Sequence, residues 1–188
     1  GPSTLDFSRN GTSQVDLLDL FVRSDATWTV NAKLTGTTSG IETWTTGNFM
    51  TGSYVFNNPD NDFPNAVRIL WGSVVSVPSL GLIGSASCLG TGDYNAILCS
   101  SRGGTLRITG DSPFTTDRPF SFQSTTPSEL LLDIVGNGDM TFTGAASSST
   151  ETGAKVLRLG GNGTGIKTYA GAITKTSQGP LSLVKQGQ

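Results

Sequence analysis

The chain has 188 residues, 14% of them charged and 35% hydrophobic, with a net charge of -2 and no histidine. That length suits one domain with a sizeable core, and the charge is too low and too acidic for the basic stripe of a nucleic-acid binder or for an electrostatic membrane anchor. Without histidine, Ser–His–Asp and Cys–His catalysis is excluded within this chain, and the commonest metal ligand and general base are missing.

No run approaches 18 apolar residues, so no membrane-crossing helix is expected. Gly1-Pro2 reads as a protease-cleaved tag scar, leaving 3–188 as a single unit. Thr4 to Phe7 is a short strand-like run, and Asn10-Gly11 marks a turn. Val15 to Val22, VDLLDLFV, is the most helix-tolerant piece; its length argues for a strand, and it could cap a stack. Thr27 to Val30 and Glu42 to Phe49 alternate, on either side of a Thr/Gly/Ser connection. Ser53 to Phe56 precedes NNPDNDFPN, where Pro59 and Pro64 each remove a backbone donor and predict a loop. Ala66 to Leu70 and Gly72 to Val77 form two runs, or one bent at Gly72. Ser79 to Thr91 is rich in Gly and Ser, and Ala96 to Cys99 reads as a buried strand.

From Gly103 onward the pattern is clearest. Leu106, Ile108, Phe120, Phe122, Leu130, Leu132, Ile134, Met140, Phe142, Leu157, Leu159, Leu181 and Leu183 fall on alternating positions of short runs separated by turn residues. Alternation buries one face of each run and wets the other. About a dozen short strands without a helix, recurring at uneven spacings, predict an all-β solenoid. Coils of ~20–25 residues stacked about 4.8 Å apart would give roughly eight coils and a rod of roughly 40 Å.

The segments GGTLRITG, FTTDRPFSF, GDMTFTGA, GAKVLRLGGNGTGIKTYAGAI and GPLSLVKQGQ resemble the autotransporter-associated β-strand repeat, also called the passenger-associated transport repeat. The resemblance covers 103–188 well and the first half more loosely. It implies a right-handed parallel β-helix cut from a longer array, in a secreted or outer-membrane-attached bacterial surface protein with a structural or adhesive role. It implies no enzyme activity and no cofactor. Glycans or other surface proteins are the expected partners, with end-to-end self-association of the rod.

Cys88 and Cys99, eleven apart, either close a small disulfide loop or sit as two buried thiols on neighbouring strands. Asp111, Asp117, Asp133 and Asp139 could supply paired carboxylates for glycoside hydrolysis, but each reads better as a turn residue that caps backbone donors. Asp117-Arg118 matches a phrase of the repeat family, which implies a structural pair at a coil corner. Asn58 to Asp62 offers oxygens at close spacing but lacks the Gly and distal Glu of an EF-hand loop. Gly160 to Gly165, GGNGTG, lacks the Lys-Ser/Thr and the helix of a phosphate-binding loop and predicts tight turns. Trp28, Trp44 and Trp71 are candidate glycan-stacking side chains on a charge-poor surface.

Overall fold

A computed structural model describes residues 3–6, 17–36, 40–46, 52–92, 97–100, 103–123, 126–148, 152–175 and 180–187, without the side chains of 17, 44–46 and 98–100. Among the described residues every regular element is a β-strand, numbered β1 to β19 in chain order. Seven strands form one sheet in the order β2 (Leu17–Arg23), β5 (Gly40–Thr46), β7 (Val67–Leu70), β9 (Ile97–Ser100), β12 (Phe120–Phe122), β15 (Ala146–Ser148) and β18 (Ile173–Lys175). A second sheet runs β3 (Thr27–Val30), β6 (Ser53–Phe56), β8 (Val74–Val77), β10 (Gly104–Ile108), β13 (Ser128–Ile134), β16 (Lys155–Gly160) and β19 (Leu181–Lys185). A third wall begins with β1 (Thr4–Asp6) on β4 (Lys33–Thr35) and ends with β11 (Phe114–Thr116), β14 (Met140–Phe142) and β17 (Lys167–Tyr169).

Each strand pairs with a strand one circuit away, in parallel: Thr27 with Ser53, Phe120 with Ala146, Phe114 with Met140. These partners are each 26 residues apart, so the chain winds as a parallel β-solenoid. The Val15 to Val22 expectation resolves as strand: β2 is an integral member of the first sheet, paired over its whole length with β5, while residues 15 and 16 lie outside the described set. Register offsets run from 21 residues, Ser53 to Val74, to 31, Val74 to Thr105, a wider range than the ~20–25 expected from spacing. Among the described residues each main sheet has seven strands, against the roughly eight coils expected, spanning roughly 30 Å at the ordinary strand spacing.

The core is a set of columns running up the inside. Tyr54, Val75, Leu106 and Leu132 occupy one, and Phe56, Val77, Ile108 and Ile134 the next; all are buried. Phe142 packs edge-on against Phe114, with ring centres 5.8 Å apart and planes at 80°. Nonpolar burial of this kind supplies the main stabilisation, since each large aliphatic or aromatic side chain contributes about 1.5–3 kcal/mol. The two runs around Gly72 are separate strands: Trp71 and Gly72, at φ 53° and 76°, turn the corner between β7 and β8. Outer faces carry ion pairs between circuits, Arg68 Nη1 to Glu42 Oε1 at 2.5 Å and Arg107 Nε to Asp133 Oδ2 at 2.7 Å.

Backbones approach closely at the turns before the third wall. There Gly110, Gly136 and Gly163 stack, and a side chain on Gly136 or Gly163 would strike the carbonyl of the glycine below. This is the role of the GGNGTG stretch, together with Gly161 at φ 111°.

Candidate functional site: a stapled loop on the third wall

The circuit that follows β8 is long. Val74 pairs with Thr105, 31 residues on, and the extra chain leaves the wall as an excursion at Gly81 to Ala86. Its tip exposes Leu82 and Ile83. Among the described residues no third-wall strand spans this level, so backbone groups must find other partners.

Two side chains provide them. Asn61 is 1% exposed and lies between circuits. Its Oδ1 accepts the Leu34 N–H at 2.8 Å, and its Nδ2 donates to Cys88 O at 2.9 Å. Leu34, Asn61 and Cys88 are successively 27 residues apart, so one amide side chain adds a bond on each side to the backbone bonds from Asp62 N to Leu34 O and from Ser87 N to Asn61 O. Arg118, 3% exposed, reaches back from the next circuit. Its Nε donates to Gly81 O at 3.0 Å, Nη1 to Leu89 O at 3.1 Å, and Nη2 to Gly90 O at 2.5 Å and Ser87 Oγ at 3.0 Å. Burying a guanidinium is costly unless its fixed fork of donors is filled, and here the loop carbonyls fill it. Thr116 Oγ1 also donates to Gly81 O at 2.9 Å. Asp117 Oδ1 accepts the Ile83 N–H at 2.7 Å, at the exposed tip. Asp117 and Arg118 thus stand at a coil corner, and what they hold is the loop of the preceding circuit.

The remaining acids divide. Asp111 Oδ1 accepts from Asn137 N at 2.7 Å, and Asp139 Oδ1 from Ile166 N at 2.8 Å; both cap turns, as their neighbours predict. Asp133 does not. It lies within β13, on the outer face, paired with Arg107. Within NNPDND, Asn58 Oδ1 accepts the Asp60 N–H, and Asp62 pairs with Lys33 at 2.5 Å. Burial raises the Asp62 pKa, but hydrogen bonds from Lys33 and Thr35 and the Lys33 charge outweigh it and hold it below the usual value. Among the described residues no three His, Cys, Asp or Glu side chains are grouped to hold a metal.

Cys88 is a buried free thiol, its pKa pushed up by burial. Cys99 lies on β9, paired with Ile69 and Phe122, its side chain outside the described residues. The three tryptophans are not one platform. Trp28 is half-exposed on β3, the first level of its sheet; Trp71 is partly buried at the β7–β8 corner; the Trp44 side chain is outside the described set.

Comparison with protein-family models, with curated proteins and with solved structures finds no match.

Sequence pattern does not reveal Asn61 or the loop acceptors of Arg118. The signal available is the 27-residue recurrence Leu34–Asn61–Cys88, legible only once the circuit length is known.

Proposed function

We propose that this chain is a structural and adhesive segment of a secreted or surface-attached bacterial β-helix, a stiff stalk presenting faces to glycans or other surface proteins. The observation that carries this is the parallel stacking of circuits, with side-chain bonds added to the backbone ones where strands are missing. A rod built this way has nearest-neighbour contacts only, so its length can grow without redesigning the core. The resemblance of 103–188 to the autotransporter repeat points the same way. The reading involves no catalytic step.

Pulling the two ends apart in a single-molecule instrument tests the stalk. Loss of one 26-residue circuit should lengthen the chain by roughly 85–90 Å. Repeated steps near that size are expected; release of the whole chain without resistance would contradict a load-bearing role. Binding to a glycan and mucin panel, lost in Trp28→Ala, would locate the adhesive face. No binding to any member of the panel would remove the adhesive half of the reading.

A further inference from the structure

Leu5, Trp28, Ile173 and Leu183 are exposed because they sit on the outermost strands of their sheets; each is in register with a buried residue, Leu34, Tyr54, Ala146 and Leu157 respectively. Leu82, Ile83 and Ile166 have no such origin. Leu82 and Ile83, 47% and 38% exposed, form the tip of the excursion in the middle of the stack. Ile166, 71% exposed, precedes β17 and stands beside Asp139 on the outside of the third wall.

Both isoleucines are fixed in the same way. Asp117 of the next circuit accepts the Ile83 N–H at 2.7 Å, and Asp139 of the preceding circuit accepts the Ile166 N–H at 2.8 Å. Arg118 and Thr116 hold the loop from Gly81 to Gly90, so the apolar tip is set before a partner arrives, which lowers the ordering cost of binding. Charge on this wall is one-sided. Segments 81–86, 109–117, 135–143 and 161–170 contain Asp111, Asp117 and Asp139 and a single cation, Lys167. Lys167 takes the inward register beside Met140 and donates to Gly138 O at 2.6 Å, and Arg118 is buried. The Arg107–Asp133 and Arg158–Glu129 pairs, Lys175 and Lys185 belong to the other two sheets. Each aspartate caps its N–H through one oxygen and retains capacity for a further donor.

We propose that the third wall docks a basic, amphipathic segment of a partner protein, its apolar side chains against Leu82, Ile83 and Ile166 and its Lys or Arg side chains against Asp111, Asp117 and Asp139. Charge decides the occupant: a second copy would bring carboxylate to carboxylate, and an anionic lipid surface would be repelled. The surface is separate from the candidate glycan face at Trp28 and stands whether or not the chain is a stalk.

The test is fluorescence anisotropy with the whole chain and three labelled peptides of equal length, alternating Lys and Leu, Lys and Ser, or Glu and Leu. Saturable one-to-one binding of the Lys/Leu peptide is expected, about tenfold or more tighter than either of the others and weakened by added salt. Leu82→Ser/Ile83→Ser should weaken it about tenfold or more, at positions exposed enough to leave the thermal unfolding curve in place. Asp117→Asn/Asp139→Asn keeps an oxygen for each N–H while removing the charge, and should weaken it similarly. No binding of the Lys/Leu peptide, equal binding of either other peptide, or binding indifferent to either pair of substitutions overturns the proposal. Sedimentation of the free chain as a dimer broken by Leu82→Ser/Ile83→Ser, or its capture by phosphatidylglycerol vesicles, would assign the face to a second copy or to lipid and overturns it too.

Discussion

Leu130, Leu157 and Leu183 occupy one inward column on three successive circuits, yet the first two are fully buried and the third is 49% exposed. Ala146 and Ile173 repeat the contrast in the other main sheet, at 0% and 39%. The strand position is the same in each set; only the presence of a circuit above differs. In this fold the sequence pattern sets which side chains point inward, and stacking sets how far they are buried, so the middle circuits hold what the last one lacks.

The largest expected effect follows from that pair. Leu130→Ala leaves a cavity under closed circuits and should destabilise by about 2–5 kcal/mol, whereas Leu183→Ala should cost well under about 1 kcal/mol. Denaturant titration of the two variants checks this, and equal losses would dissolve the contrast. Next comes the staple. Arg118→Met strands several buried loop carbonyls and should cost about 2–3 kcal/mol, with Arg118→Lys failing to restore it, because one ammonium cannot replace the guanidinium fork. Faster amide exchange at 81–90 would show that the loop itself is released.

A smaller effect concerns Tyr169, whose pKa burial pushes up to about 12 while its hydroxyl donates to Gly144 O at 2.9 Å. A raised pKa in the folded state means stability that is complete below the ordinary value near 10 and lost as pH rises from there through about 12. Discounted for partial exposure, the loss is about 1 kcal/mol. Tyr169→Phe should remove that part of the alkaline slope, seen in unfolding curves at stepped pH. The smallest change is at Glu129 and Arg158, joined by two hydrogen bonds at 2.8 and 2.6 Å. The Arg158 guanidinium holds the Glu129 carboxyl below its ordinary value. That contribution is present above the unfolded carboxyl pKa and is lost as pH falls through the folded one. Arg158→Ala should return the Glu129 titration, followed by NMR, to the ordinary range with little change in stability.

Much of the second half is legible in the amino-acid order itself. From Leu106 to Leu157 the alternating apolar residues are the inward columns, because a two-residue period has only one consistent burial once a strand forms. The circuit length is not legible, since loops between strands differ and the third wall is partly built without strands. The Asn57 to Asp62 stretch reads as a loop and holds no strand; of its several inter-circuit bonds, those through the Asn61 amide leave no periodic trace. Asp133 reads as a turn residue because its neighbourhood is rich in Gly and Asn, whereas the run 128–134 is long enough to keep it in strand beside Arg107. Arg118 stands out in its phrase, but its acceptors are backbone carbonyls of a Gly/Ser loop 28 to 37 residues away, and side-chain identity does not encode them.

The most direct test of the stacked account is native-state hydrogen exchange resolved along the chain. Protection should be greatest in β6, β8, β10 and β13, fall through β16, and be least in β17, β18 and β19, following the loss of covering circuits. Uniform protection from end to end, or strongest protection in the last circuit, would contradict it.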